Sequence, residues 1–434
     1  MTHAEVRLWG STVGAVTLED GKEVADFEFA PTFLESGIQL APLTMPLSER
    51  VYGFPLLRRE SFYGLPGMLA DSLPDRFGHA VINAWLAGQG RPPDSLNAVE
   101  RLCYTGSRGM GALEFVPATG PRSNQGQRLQ VDRLVALASE ILQQREALRL
   151  SYDAQDDAAP LQEILRVGTS AGGARAKAVI AWNPQTKEVR SGQADVGAGF
   201  EHWLIKFDGV GGEHDGTWAA PEGYGAIEYA YYLMARDADI EMADCRLFEE
   251  GGRRHFMTRR FDRLPDGAKL HMQSLGAMAH FDFNEAGAYS YEQALMVIWE
   301  LGLSMSAIEE QFRRMAFNVF ARNQDDHVKN IAFLMDRAGA WALAPAFDLT
   351  YACNPEGKWT SIHQMTLNGK QEAFTMEDFR ACARAASMKR GRAEAICAEV
   401  HEVVSHWPDY AEEARVEALQ RDAIQKRIEE AAIL

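Results

Sequence analysis

The chain has 434 residues, enough for two or three domains with sizeable cores, and its 46% hydrophobic and 24% charged composition is ordinary globular usage. A formal charge of −17 argues against a surface that grips nucleic acid throughout, although a local basic patch or a basic partner stays open. No apolar run approaches the roughly 18 residues of a membrane span, M-T-H-A-E-V is no secretory signal, and Cys103, Cys245, Cys353, Cys382 and Cys397 lack metal or disulfide spacing, so a cytoplasmic protein with reduced thiols is expected.

Val6, Leu8, Val13, Val16 and Leu18 fall in short strands, and Asp20-Gly21 signals a tight turn before another strand at Val24 to Phe29. In F-Y-G-L-P-G-M-L-A-D-S-L-P-D-R-F-G (Phe62 to Gly78) apolar residues alternate with breakers, which predicts short helices packed on that sheet. Gly106 to Gly111 reads as a loop and Gly120 to Gln127 as a linker. Leu134, Leu137, Ile141 and Leu142 then keep helical spacing. No internal repeat or low-complexity tract is present.

From Leu161 the order of elements becomes informative. A glycine-rich loop, G-T-S-A-G-G-A-R-A-K (Gly168 to Lys177), leads into a strand at Ala178 to Trp182. The strand W-L-I-K-F (Trp203 to Phe207) presents Lys206, and a helix over Tyr224 to Arg236 carries Glu228 near its start. Strands at Cys245 to Glu249 and Phe256 to Phe261 pair across Gly251-Gly252. A helix from about Ser306 to Arg322 delivers the chain into N-Q-D-D-H-V-K-N (Asn323 to Asn330). Ile331 to Asp336 and Trp341 to Phe347 read as a hairpin around Arg337 to Ala340, which returns Asp348 towards Asn330; from Met376 onward the pattern is helical.

Asp325, Asn330 five residues on, and Asp348 after the hairpin make the acid-and-amide set of a phosphoryl-transfer site. The first Asp would orient or deprotonate an acceptor hydroxyl, and the Asn and last Asp would ligate Mg²⁺ on nucleotide phosphates. The bland alternative is a polar loop whose Asp and Asn serve turn chemistry. Glycines admit close approach of backbone N–H groups to phosphate, a strand lysine can neutralise it, and a helix acid can hold that lysine. The alternative for Glu228 is a solvated surface acid. The expected fold is α+β: a bilobal protein-kinase-like fold with a small N-terminal β-rich domain (1–120), an N-lobe with glycine-rich loop and hinge (121–265), and a helical C-lobe with the catalytic loop (266–434).

G-T-S-A-G-G-A-R-A-K, N-Q-D-D-H-V-K-N-I-A-F and P-A-F-D-L closely resemble the HipA family, the serine/threonine kinase toxins of type II toxin–antitoxin modules. R-G-M-G-A-L-E, R-R-F-D-R (Arg259 to Arg263) and L-N-G-K (Leu367 to Lys370) extend the resemblance over nearly the whole chain. It implies an ATP- and Mg²⁺-dependent protein kinase with Asp325 as base and Asn330 and Asp348 as metal ligands. Gly172, Gly173, Ala174, Arg175, Ala176 and Lys177 become the phosphate loop, with Lys206 on the phosphates. Arg259, Arg260 and Phe261 become the hinge that reads adenine through its backbone; the best-known members enter it with a Glu where this chain has Arg259. His327 and Lys329 are placed beside the base, as phosphate contacts or as loop pins. Ser170, with Thr169 as alternative, matches the serine whose autophosphorylation shuts the kinase off. The resemblance also implies a HipB-like helix-turn-helix antitoxin that carries the DNA contact, and a translation-related protein target such as glutamyl-tRNA synthetase, leading to growth arrest and persistence. A small-molecule kinase on this fold and a catalytically silent corepressor are the rival readings.

Overall fold

The computed structural model describes residues 1–92, 95–120, 128–143, 164, 175–193, 197–210, 212–214, 217–219 and 222–430. Strands β1 (Thr2–Leu8), β2 (Ser11–Leu18), β3 (Asp26–Phe29) and β4 (Leu113–Val116) form an antiparallel sheet in the order β3-β2-β1-β4. Their inward residues, among them Val6, Leu8, Val13, Val16, Phe27 and Phe29, make its core, as the alternation predicts. Gly21 at φ 78 turns the chain between β2 and β3, a conformation that costs a residue with a side chain. Helices α1 (Arg76–Gly88) and α2 (Ala98–Thr105) lie between β3 and β4 in the chain; Asn97 and Glu100 close a capping box at the start of α2.

After α3 (Val131–Gln143) come β5 (Lys177–Trp182), β6 (Val189–Ser191) and β7 (Glu201–Lys206), then the small pair β8 (Gly212–His214) and β9 (Thr217–Ala219). Helix α4 (Tyr224–Asp237) leads into β10 (Cys245–Glu250) and β11 (Arg253–Arg259). The second sheet has the order β10-β11-β7-β5-β6, all antiparallel neighbours. Every residue of β5 is buried; α1 and α3 cover the face that Ala178, Ile180 and Trp182 share with Trp203 and Ile205 of β7. A helix from before residue 120 thus closes the middle sheet. Of the expected linker Gly120 to Gln127, all but Gly120 lies outside the described residues.

The remaining chain holds β12 (His271–Ser274), α5 (Tyr291–Glu300), α6 (Met305–Phe320), the hairpin β13 (Ala332–Met335) and β14 (Trp341–Leu343), then α7 (Met376–Ala385), α8 (Arg392–Ser405) and α9 (Ala418–Glu429). Phe312, Met315, Phe317 and Phe320 on α6 sit at the centre of the largest core. The hairpin turns at 337–340 as expected, and pairs with β12 on its other side.

The first sheet is docked on this helical region. Asp71 accepts hydrogen bonds from the backbone N–H and hydroxyl of Ser274 at 2.6 and 2.9 Å, and Gly67 N–H donates to His280 Nε2 at 3.0 Å. Burial holds His280 at a pKa of about 4, so its ring is neutral and can accept. Among the described residues no helix is long and apolar enough to cross a membrane.

Candidate active site

Lys206 ends β7, a central strand flanked by β5 and β11, so its backbone is fixed by ladders on both sides. Its ammonium donates to Glu228 Oε1 at 2.5 Å and to Asp348 Oδ1. Burial disfavours the charged lysine, but Asp348 and Glu228 outweigh it and raise its pKa above the ordinary value. Glu228 comes from α4, whose N-cap is Gly223 and offers no side chain. Asp208, two residues beyond Lys206, supplies the cap instead: its carboxylate accepts from Gly223 and Gly225 N–H at 3.1 and 3.3 Å. A Cβ at Gly225 would come 2.1 Å from the Arg254 carbonyl oxygen, so a glycine there lets α4 lie directly on β11. Strand lysine and helix acid are therefore brought together by the Asp208 cap that ties the end of β7 to the start of α4. The pairing of Lys206 with Glu228, left open by the sequence, is present.

Asp348 has φ 54, in the left-handed region that Asp tolerates better than most residues. Burial pushes its pKa up, but Lys206 and Lys177 prevail and bring it down to about 2. On the facing loop, Asn330 Nδ2 donates to the Asp325 carbonyl oxygen at 2.8 Å. The Asp325 side chain is 46% exposed, with His327 Nε2 at 4.0 Å from its Oδ1. Lys329 is turned onto the Phe283 ring, its Nζ 4.2 Å from the centroid. Arg175 stacks over Tyr224 at 4.4 Å and lies 3.8 Å from the second oxygen of Glu228.

Lys177 is the first residue of β5 and not part of a loop; its ammonium is 3.1 Å from Asp75 Oδ2. Ala176 is buried and gives its carbonyl to Phe207 N–H. Ser170, Thr169, Gly172, Gly173 and Ala174 lie outside the described residues. At the expected hinge, Arg259 and Arg260 donate their backbone N–H groups to the carbonyls of Asp244 and His202. The Arg260 side chain is buried against Asp262, which also receives Arg263 and the Gly111 N–H. Burial alone would raise the Asp262 pKa, but the two guanidiniums hold it well below the carboxylate range. R-R-F-D-R and R-G-M-G are thus two halves of one buried lock between sheet and N-terminal unit.

Asp326 and Asp75 are among the acids that escaped the sequence reading. Asp326 is buried under the loop, accepting from Tyr291 Oη, His363 Nδ1 and Gln364 N–H at 2.6, 2.8 and 2.7 Å. Its adjacency to Asp325 was the only hint. Asp75 caps α1, accepting from Gly78 N–H at 2.6 Å, and P-D-R-F-G does carry a capping signal. Its partner Lys177 stands 102 positions away, beyond any local pattern.

A model of the HipA N-terminal domain matches residues 4–116 and one of the HipA-like C-terminal domain matches 169–407. The chain belongs to the HipA family. Its fold is similar to that of HipA from Shewanella oneidensis MR-1, solved with HipB and operator DNA: TM-score 0.67, 13% identity, covering 99% of this chain and 95% of that one. The Helicobacter pylori proinflammatory kinase CtkA aligns only weakly, at a TM-score of 0.30 and 9% identity over 53% of this chain and 91% of its own. No curated protein matches the sequence. The architecture is that of HipA proteins: the HipA N-terminal unit followed by the HipA-like C-terminal domain.

The donor set near Lys206 fits a nucleotide-bound Mg²⁺. Among the described residues no cluster of three or more His, Cys, Asp or Glu forms a protein cage. A Mg²⁺ on phosphates needs only one or two protein oxygens, the rest coming from phosphate and water. Asn330 donates through its nitrogen, which leaves its oxygen for a cation, and Asp348 engages Lys206 with only one of its two oxygens.

Proposed function

We propose that this HipA-family protein is a Mg²⁺- and ATP-dependent serine/threonine protein kinase acting as the toxin of a HipA/HipB-type module. The observation that carries this reading is the Lys206 ammonium held between Glu228 of the helix and Asp348 of the returning hairpin. A structural ion pair would need one carboxylate; a phosphate-binding lysine is served by a brace on one side and the metal acid on the other.

In this mechanism Lys206 contacts the nucleotide phosphates while Glu228 fixes its direction. Asn330 and Asp348 hold Mg²⁺, which supplies positive charge against the phosphate oxygens. Arg175 and Lys177 lie at the phosphate end, and the main chain at Phe261 reads the adenine edge, since the amides of Arg259 and Arg260 are already used. Asp325, exposed on a loop pinned by Asn330, takes the proton of the acceptor hydroxyl as it attacks the γ-phosphorus; the bond from that phosphorus to the bridging oxygen breaks, and ADP leaves. His327 steadies the loop or meets the transferred group.

The partner reading rests on the Shewanella oneidensis relative, which was solved with HipB and its operator. A HipB-like antitoxin would carry this chain to DNA, in keeping with a charge of −17 that disfavours direct binding. A translation-related protein such as an aminoacyl-tRNA synthetase is the proposed target, with growth arrest as the consequence. Ser170 is the proposed self-inactivating phosphosite.

The deciding experiment is ³²P transfer from γ-labelled ATP with Mg²⁺, comparing wild type with Asp325→Asn. Transfer by the wild type onto Ser or Thr, lost in the variant while ATP affinity stays within a few fold, is the expected result. Equal transfer by both would remove Asp325 from the chemistry. Transfer only to small metabolites would replace the protein-kinase reading.

A further inference from the structure

The N-terminal unit reaches the phosphate end of the site through Asp75. Lys177 and Lys206 are directly paired residues of the neighbouring antiparallel strands β5 and β7, so both side chains project from the same face of the sheet. Two ammonium groups so close repel each other unless each has its own counter-charge. For Lys206 that counter-charge is Glu228 of α4. For Lys177 it is Asp75, at 3.1 Å, with side-chain exposures of only 2% and 4%. Asp75 is in turn fixed twice: its carboxylate caps α1 at Gly78, and α1 packs by Phe77, Val81 and Ile82 into the same core as Ala178 and Ile180 of β5.

We propose that Asp75 is a positioning residue for the kinase site, bracing Lys177 towards the nucleotide phosphates as Glu228 braces Lys206. The inference rests on the kinase reading above and adds that the N-terminal unit completes the phosphate-binding set. Lys177 and Lys206 then form a pair of braced cations, with Asp348 answering to both: each lysine contributes to holding its carboxyl low. Asp75 touches no substrate; it acts through Lys177 alone.

Asp75→Asn tests this cleanly, because Asn is as good a helix cap as Asp but carries no charge. The wild type, Asp75→Asn, Lys177→Met and the double variant are compared by calorimetric titration with Mg²⁺-ATP, by KM and kcat, and by thermal unfolding. The expected result is a rise of fivefold or more in KM for ATP in Asp75→Asn, with a smaller change in kcat. Lys177→Met should raise KM at least as much, and adding Asp75→Asn to it should change KM no further. Asp75→Glu should restore part of the loss.

An unchanged KM in Asp75→Asn overturns the proposal and leaves Asp75 a helix cap. A lowered KM also overturns it, since Asp75 would then compete with phosphate for Lys177. If Asp75→Asn does not fold, Lys177→Met decides: ATP affinity equal to wild type means Lys177 meets no phosphate and has nothing to be braced for. A wild type that binds no Mg²⁺-ATP at all fails the kinase reading itself, a result distinct from both.

Discussion

Lys206 Nζ lies 2.5 Å from Glu228 Oε1, although the two residues belong to different elements and are 22 positions apart. Glu228 is 2% exposed, so the pair is shielded from solvent on the acid's side. Removing the acid leaves a buried lysine with one partner, and losing half of a buried pair costs roughly 3–5 kcal/mol. Glu228→Ala should therefore unfold at a visibly lower temperature. Glu228→Gln, which keeps the size and one acceptor, should remain folded but bind Mg²⁺-ATP about tenfold more weakly, as a brace of the phosphate lysine would. Thermal melts and calorimetry on the two variants check this; unaltered ATP affinity in Glu228→Gln would make the pair purely structural.

Asp348 is predicted to act through the metal. Asp348→Ala should weaken binding of Mg²⁺-ATP more than binding of ATP in chelator, because only the first state uses the carboxylate as a ligand. Calorimetric titration in both conditions gives the comparison. Equal losses in both would show that its partnership with Lys206 is what matters.

Asp326 should govern acid stability. Its pKa lies below the ordinary 3.8: burial opposes ionisation, but His363, Tyr291 and the Gln364 amide outweigh it. A carboxylate depressed on folding stabilises the protein above its unfolded pKa and loses that contribution as pH falls through the folded value. Wild-type stability should thus decline from about pH 4 downward, more steeply than that of Asp326→Asn. At neutral pH the variant should be less stable by roughly 1–3 kcal/mol, since three donors lose a charged acceptor. Urea unfolding at pH 7, 4 and 3 measures both; parallel pH profiles would exclude Asp326 as the source.

Ser170 should gain phosphate when the protein is incubated with Mg²⁺-ATP. A phosphoserine adds close to two negative charges to a segment meant to meet phosphates, so the modified protein should bind ATP poorly. Intact-mass spectrometry of wild type, Ser170→Ala, Thr169→Ala and the double variant assigns the position. Substrate phosphorylation without any self-phosphorylation would leave control to the antitoxin alone.

What the sequence determined by itself was local and periodic. The alternation in β1 and β2, the helical spacing in α3, α4 and α6, and the turn between β13 and β14 follow from side-chain periods of 2 and 3.6, which each segment carries within a few residues. The Asp325 to Asn330 spacing was legible for the same reason: it is one short loop. The Lys206–Glu228 pair was only a candidate, because a helix acid is usually solvated; Asp208, capping α4 from the end of β7, decides its direction. The pairing of Asp75 with Lys177 and the burial of Asp326 were decided by tertiary structure alone. Asp75 meets Lys177 because α1 packs on a sheet formed a hundred residues later, and Asp326 turns inward because Tyr291 and His363 converge beneath its loop. Burial and long-range charge pairing depend on which surfaces meet, and no period within a segment encodes that.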